Sequence, residues 1–194
     1  PGLAKRIKCI KELFPEANIS LFFSIRSYDS FYRSAYSEVV RNRGYMPFEE
    51  FYDQERFAKN SWVDMVHNFQ KVLPQEKITL WKFEDFRPLV PQLVQKMTGI
   101  DDVGPLLEAY QPETTRPSLS QKTIDILSEL HQVLNRKESL TLVERINRAY
   151  SIKAGHSPYQ PFSSEEQSAF QSQYLEDVET IKTSSPRIRF LEPA

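Results

Sequence analysis

Apolar residues recur along the chain with two periods. Leu3, Ile7, Ile10 and Phe14 follow helical spacing, and Pro15 closes that segment. Residues 18–25 (NISLFFSI) are short, apolar and β-rich, and read as a buried strand. Ser27 or Asp29 can cap a following helix that runs to about Arg43, where Gly44 stops it. Residues 47–53 predict a short helix. Trp62, Met65, Val66, Phe69, Val72 and Leu73 make a regular amphipathic face ended by Pro74. Residues 77–83 (KITLWKF) predict a second strand, and 89–98 a helix that stops at Gly99. Ile124, Leu127, His131 and Leu134 define another helix, and 140–150 one more. Phe170, Tyr174, Val178 and Ile181 share one side of a last helix from about 163 to 181. The stretches 101–119, with Pro105, Pro112 and Pro117, and 154–162 (AGHSPYQPF) read as long loops. Long loops in compact domains tend to be functional, so both are candidates for a lid over substrate or cofactor.

The order is helix, strand, several helices, strand, helices. Two buried strands joined by a helical crossover imply a parallel pair. The expected class is therefore α/β: a helix-rich single domain over 1–194, with a parallel β-sheet and flanking helices. Two strands make a small parallel sheet, because such sheets are buried and usually larger. The chain also opens Pro1-Gly2-Leu3 with no initiator Met. The expectation is a C-terminal portion whose N-terminal part, with further strands and any targeting signal, precedes residue 1.

Composition narrows the classes. Hydrophobic residues are 40% and charged residues 26% of 194, ordinary for a globular chain. No run approaches the roughly 18 apolar residues of a membrane span. Lys+Arg 25 against Asp+Glu 26 gives a net charge of −1, which argues against a broad grip on nucleic acid but leaves room for a local basic pocket. The single cysteine, Cys9, excludes an internal disulfide and a CxxC motif, fits a reducing compartment and supports a cytoplasmic expectation. Only 5 residues are glycine, and none is spaced for a phosphate-cradling loop.

The chemistry concentrates in residues 25–36 (IRSYDSFYRSAY). Arg26 stands at the carboxyl end of a predicted strand, where open α/β sheets place their ligands. Its guanidinium is a flat, permanently charged fork for a phosphate. Ser34 can add a hydroxyl from the next helix, whose N-terminus adds partial positive charge. The same residues also suit a plainer arrangement, with Arg26 paired to a carboxylate and Ser34 bonded to its own helix.

Residues 26–36 resemble the R-x-P-x-x-x-x-x-S-x-Y segment of the sulfotransferases, with Tyr28 where that family has Pro. Residues 62–69, Leu73-Pro74 and the strand running into Phe83-Glu84-Asp85-Phe86 are similar to the family's helix, turn and strand ending in a Tyr-Glu-Asp-Leu-like tetrad. The resemblance implies a P-loop NTPase-like fold. It implies Arg26 and Ser34 as ligands of the 3′-phosphate of 3′-phosphoadenosine 5′-phosphosulfate (PAPS), and sulfuryl transfer to a hydroxyl or amine of a small-molecule, glycan or lipid acceptor. Arg116-Pro117-Ser118-Leu119-Ser120 resembles the Asn-x-Ser loop that precedes a late helix in bacterial members of the family, with Arg116 as a second anion ligand, and the same residues also suit a plain loop. The family's 5′-phosphosulfate loop and general base would precede Arg26, so no catalytic residue is named. Metal is not expected in this chemistry. A small-molecule or nucleotide kinase of the same fold, with a Walker-type loop upstream, and a non-catalytic interaction module remain as alternatives. The acceptor and the oligomeric state are not encoded in any motif found.

Other residues carry plainer expectations. His67 reads as a helix-surface or packing histidine, His131 as core or half-buried, and His156 as an exposed loop residue; none has metal-ligand spacing. The sulfotransferase resemblance implies an architectural role for Glu84-Asp85, bonding to backbone and holding neighbouring loops. Cys9 reads as a small buried hydrophobe. At least half of Tyr28, Phe31, Tyr32 and Tyr36 are expected in the core, the rest against adenine or acceptor. Asn18-Ile19-Ser20 matches a glycosylation sequon by chance.

Overall fold

The computed structural model describes residues 3–55, 61–109 and 117–193. In chain order the described elements are α1 (Leu3–Leu13), β1 (Ser20–Ile25), α2 (Tyr28–Arg43), α3 (Phe48–Glu55), α4 (Trp62–Val72), β2 (Lys77–Lys82), α5 (Phe86–Thr98), α6 (Gly104–Ala109), α7 (Gln121–His131), α8 (Arg136–Ala149), α9 (Ser164–Ser184) and β3 (Ile188–Leu191). The strands form one parallel sheet in the order β1-β2-β3, so the class is α/β. The chain divides into two compact units. The first comprises Pro1–Arg26, Ala58–Glu113 and Gln173–Ala194, and the second Ser27–Phe57 and Thr114–Ser172.

The first unit is built on the sheet. Ser20 pairs with Lys77 and Phe22 with Thr79, and Thr79 pairs in turn with Arg189. Parallel partners point to the same side, so each face can be read down the register. One face stacks Trp81 and Leu191 under Leu89 and Leu93 of α5, with Phe22 beside them. On the other, Phe23 meets Phe69 of α4 edge to face at 5.3 Å, and the Lys182 ammonium of α9 lies over the Phe190 ring. Helix α4 starts where Ser61 and Asp64 form a reciprocal capping box, and those bonds from Ser61 hold the Asp64 carboxyl below its usual range.

The second unit is helical and rich in aromatic rings. Tyr28, Tyr32, Tyr36 and Val40 recur every fourth residue on α2 and are all buried. Tyr36 packs on Phe48 and Phe51, its hydroxyl donates to the Met46 carbonyl at 2.7 Å, and Phe162 closes against Phe48 and Phe170. Gly44 ends α2 at φ 81°, and a Cβ there would lie 2.0 Å from the Arg136 carbonyl oxygen, so only glycine fits. Ser139 holds that corner, accepting from the Tyr45 N–H and donating to Arg136.

Several expectations are corrected. The sheet has a third strand, β3, four residues long and too short to register as a periodic pattern. β1 is half-buried rather than buried, because among the described residues it pairs on one side only. The stretch 101–119 is not one long loop. It contains α6, which starts at Gly104 with Pro105 in its first turn, where a missing N–H costs nothing, and Asp102 accepts the Gly104 N–H at 3.0 Å. Cys9 is exposed, on the opposite side of α1 from buried Ile7. His131 is exposed beside Tyr45, and His156 is half-buried against Tyr150.

Candidate functional site

Arg26 follows β1 directly, at the carboxyl end of the sheet. Three hydrogen bonds within the first unit fix that end. The Trp62 indole at the start of α4 donates to the Arg26 carbonyl at 2.9 Å. The Trp62 backbone N–H donates to the buried Asp177 carboxylate of α9, also at 2.9 Å. The Tyr174 hydroxyl, one turn earlier on α9, lies 3.3 Å from the Ile25 carbonyl and 3.1 Å from a Glu84 carboxylate oxygen. The last two carbonyls of the β1 segment are thus met by side chains where the ladder ends.

The Arg26 side chain extends over the ring of Phe83, its guanidinium carbon 4.5 Å from the centroid. Stacking on an aromatic face restrains a guanidinium without consuming its in-plane donors. Phe83 is 46% exposed, so the strand's carboxyl edge presents an aromatic surface beneath this cation. Burial, then the Glu84 carboxylate, pushes the Tyr174 hydroxyl well above the ordinary tyrosine range, with Arg26 opposing. Tyr174 therefore stays protonated and acts as a donor. The arrangement can hold an oxyanion at the guanidinium while Tyr174 keeps Glu84 in place. Among the described residues the Glu84 carboxylate accepts from a tyrosine hydroxyl.

Ser34 belongs to the second unit, in the second turn of α2. It is half-buried, and among the described residues its hydroxyl is in no hydrogen bond, unlike Ser37, which donates to the Arg33 carbonyl at 2.8 Å. At the head of α2, Ser27 donates to Asp29 at 2.7 Å and Asp29 pairs with Arg33 at 3.1 Å. Tyr28 is the first helical residue, where proline is favoured. It is instead buried beside Phe170, with the centroids 6.1 Å apart, exchanging a preset backbone angle for ring packing. Tyr28, Tyr32 and Tyr36 are all core residues, leaving Phe31 as the half-buried member of that set.

Arg116 lies outside the described residues. Among the described residues no group of three or more His, Cys, Asp or Glu is placed to hold a metal ion, and no helix is long and apolar enough to cross a membrane. Sequence reasoning missed Trp62, Tyr174 and Asp177 as supports of the strand end. Trp62 and Tyr174 show in the sequence only as members of apolar helical faces and Asp177 carries no pattern of its own, and their polar atoms meet partners up to 149 positions away. Comparison with family models, with characterised proteins and with solved structures finds no match.

Proposed function

We propose that this chain is part of a PAPS-dependent sulfotransferase of the P-loop-like α/β fold, with Arg26 as ligand of the cofactor's 3′-phosphate. The observation that carries this reading is the stacked guanidinium at the carboxyl end of a parallel strand, which is where α/β sheets bind nucleotides. The likeness of residues 26–36 and 62–86 to sulfotransferase segments adds the cofactor's identity and Ser34 as second ligand. The acceptor in this reading is a hydroxyl or amine on a small molecule, glycan or lipid, and the protein acts in the cytoplasm.

In such a reaction the acceptor attacks sulfur in line, the S–O bond to the nucleotide breaks, and adenosine 3′,5′-bisphosphate leaves with that bond's electrons. Arg26 would hold the end of the cofactor that does not react. Binding energy gained there orients the reacting end. Trp62 and Tyr174 act one step back, fixing the backbone from which Arg26 projects.

The test is thermal unfolding of the full-length protein with adenosine 3′,5′-bisphosphate. Ligand at 100 times its Kd stabilises by about 2.7 kcal/mol, a shift of several degrees. Wild type is expected to show it and Arg26→Ala to lose it. The same shift in Arg26→Ala, or none in wild type, overturns the reading.

A further inference from the structure

We propose that the amino end of the sheet is a second binding site, for a small soluble molecule carrying two or more phosphate or sulfate groups. It lies in the first unit, at the opposite end of the strands from Arg26, and does not depend on the sulfotransferase reading. A cleft of about 550 Å³ opens there, within the size range of small-molecule sites. Lys77, Lys96, Arg187 and Arg189 line it, and no carboxylate does. The chain as a whole has a net charge of −1, so four cations around one cleft are a local concentration that composition hides.

The fold explains how they meet. Thr79 is buried and forms the floor, with Phe22 on one side and Arg189 on the other in register. Lys77 is two residues earlier on the same face. Helix α5 covers the carboxyl half of that face through Leu89 and Leu93 and stops short of the amino half, where Lys96 in its last turn reaches the cleft. One Arg187 guanidinium nitrogen donates to the Pro74 carbonyl, which orients the group and leaves its other donors.

The carboxylate beside Lys77 in the chain is committed elsewhere: Glu76 accepts from Lys11 at 2.8 Å and from the Ile19 N–H at 3.2 Å. Among the described residues none of the four cations lining the cleft takes part in an ion pair. Like charges gathered without counter-charges repel one another, and an anion removes that cost. Two arginine forks add paired donors that match phosphate or sulfate oxygens. Four cations spread over a cleft of this size favour several anionic groups on one molecule over a single ion.

The test is calorimetric titration of the protein with tripolyphosphate at fixed ionic strength, with orthophosphate and sulfate as single-anion comparisons. Tripolyphosphate is expected to bind at least tenfold more tightly than either. The double variant Lys77→Gln/Arg189→Gln is expected to lose at least tenfold with an unchanged melting temperature, which separates lost binding from lost folding. Arg26→Ala is expected to bind tripolyphosphate as wild type does, whatever happens to its nucleotide response. Equal affinity for all three anions overturns the proposal, as does full binding by the double variant or loss of binding in Arg26→Ala. Vesicles containing a polyphosphoinositide form a further arm. Binding to them without binding of soluble tripolyphosphate would assign the cations to a membrane headgroup and also overturn it.

Discussion

The two ends of the parallel sheet share the same three strands and differ in how they treat charge. At the carboxyl end polar groups meet neighbours from other elements: Trp62 on the Arg26 carbonyl, Asp177 on the Trp62 N–H, Tyr174 between Ile25 and Glu84, and Phe83 under the Arg26 guanidinium. At the amino end Lys77, Lys96, Arg187 and Arg189 surround a cleft with no carboxylate in its lining. The first end is held by burial and mutual hydrogen bonds, and the second is left to solvent. A network of buried partners fixes a side chain for a task, whereas an open like-charge cluster costs little stability and remains available to a counter-charge.

That contrast predicts unequal costs of substitution. Trp62→Ala removes a buried ring and the donor to Arg26, and is expected to destabilise the protein by about 3–5 kcal/mol in denaturant unfolding. Stability within about 1 kcal/mol of wild type would show that this end is not held as described. Tyr174→Phe removes only a hydroxyl and is expected to cost about 1–2 kcal/mol near neutral pH. Its pH dependence gives a separate readout. The folded tyrosine titrates above its ordinary value near 10, so the folded state keeps the proton longer than the unfolded chain does. Its stabilisation is complete below pH 10 and is lost as pH rises further. Wild type should therefore lose stability above pH 10 more steeply than Tyr174→Phe. Parallel slopes would mean that the hydroxyl is already free to ionise.

Glu76, near the amino end, has the opposite sign. Its bonds from Lys11 and Ile19 hold its carboxyl below the usual range. The unfolded chain takes up that proton first as pH falls, so the contribution is present above about pH 4–5 and disappears below it. Glu76→Gln is expected to cost about 0.5–1 kcal/mol at pH 7, an exposure-limited value, and nothing near pH 2. A deficit that persists in acid would assign the loss to packing instead of charge.

The sequence was most legible where periodicity is long. A capping residue and Gly44 bounded α2, the apolar face ended by Pro74 announced α4, and Gly99 marked the end of α5, both glycines standing at positive φ. β1 and β2 were legible as apolar runs, and their parallel pairing followed from the helices between them. β3 was not, because Ile188–Leu191 alternates over four residues only and its hydrophobicity is completed by β2. α6 was hidden by Pro105, which ends a helix in its middle and is accepted in its first turn. At the candidate site Arg26 could be found from its position after a strand. Its supports could not, since Tyr174 and Asp177 show on the sequence only as members of a helix. The basic cleft was equally invisible: its four cations come from β2, α5, β3 and the residues leading into β3, and are brought together only by the fold.

The smallest expected effect is the sharpest test of the amino end. Arg189 is exposed and in no ion pair among the described residues, and the charged residues that line the cleft with it are all cations. Removing its charge in Arg189→Gln takes away repulsion and little packing. The change in stability should stay within about 0.5 kcal/mol and lean toward stabilisation at low ionic strength. Raising salt toward 1 M shortens the screening length to about 3 Å, so the difference between variant and wild type should vanish there. A loss of more than 1 kcal/mol that is indifferent to salt would mean that Arg189 is a structural member of the sheet edge. The amino end would then be held as tightly as the carboxyl end, and the contrast between them would fail.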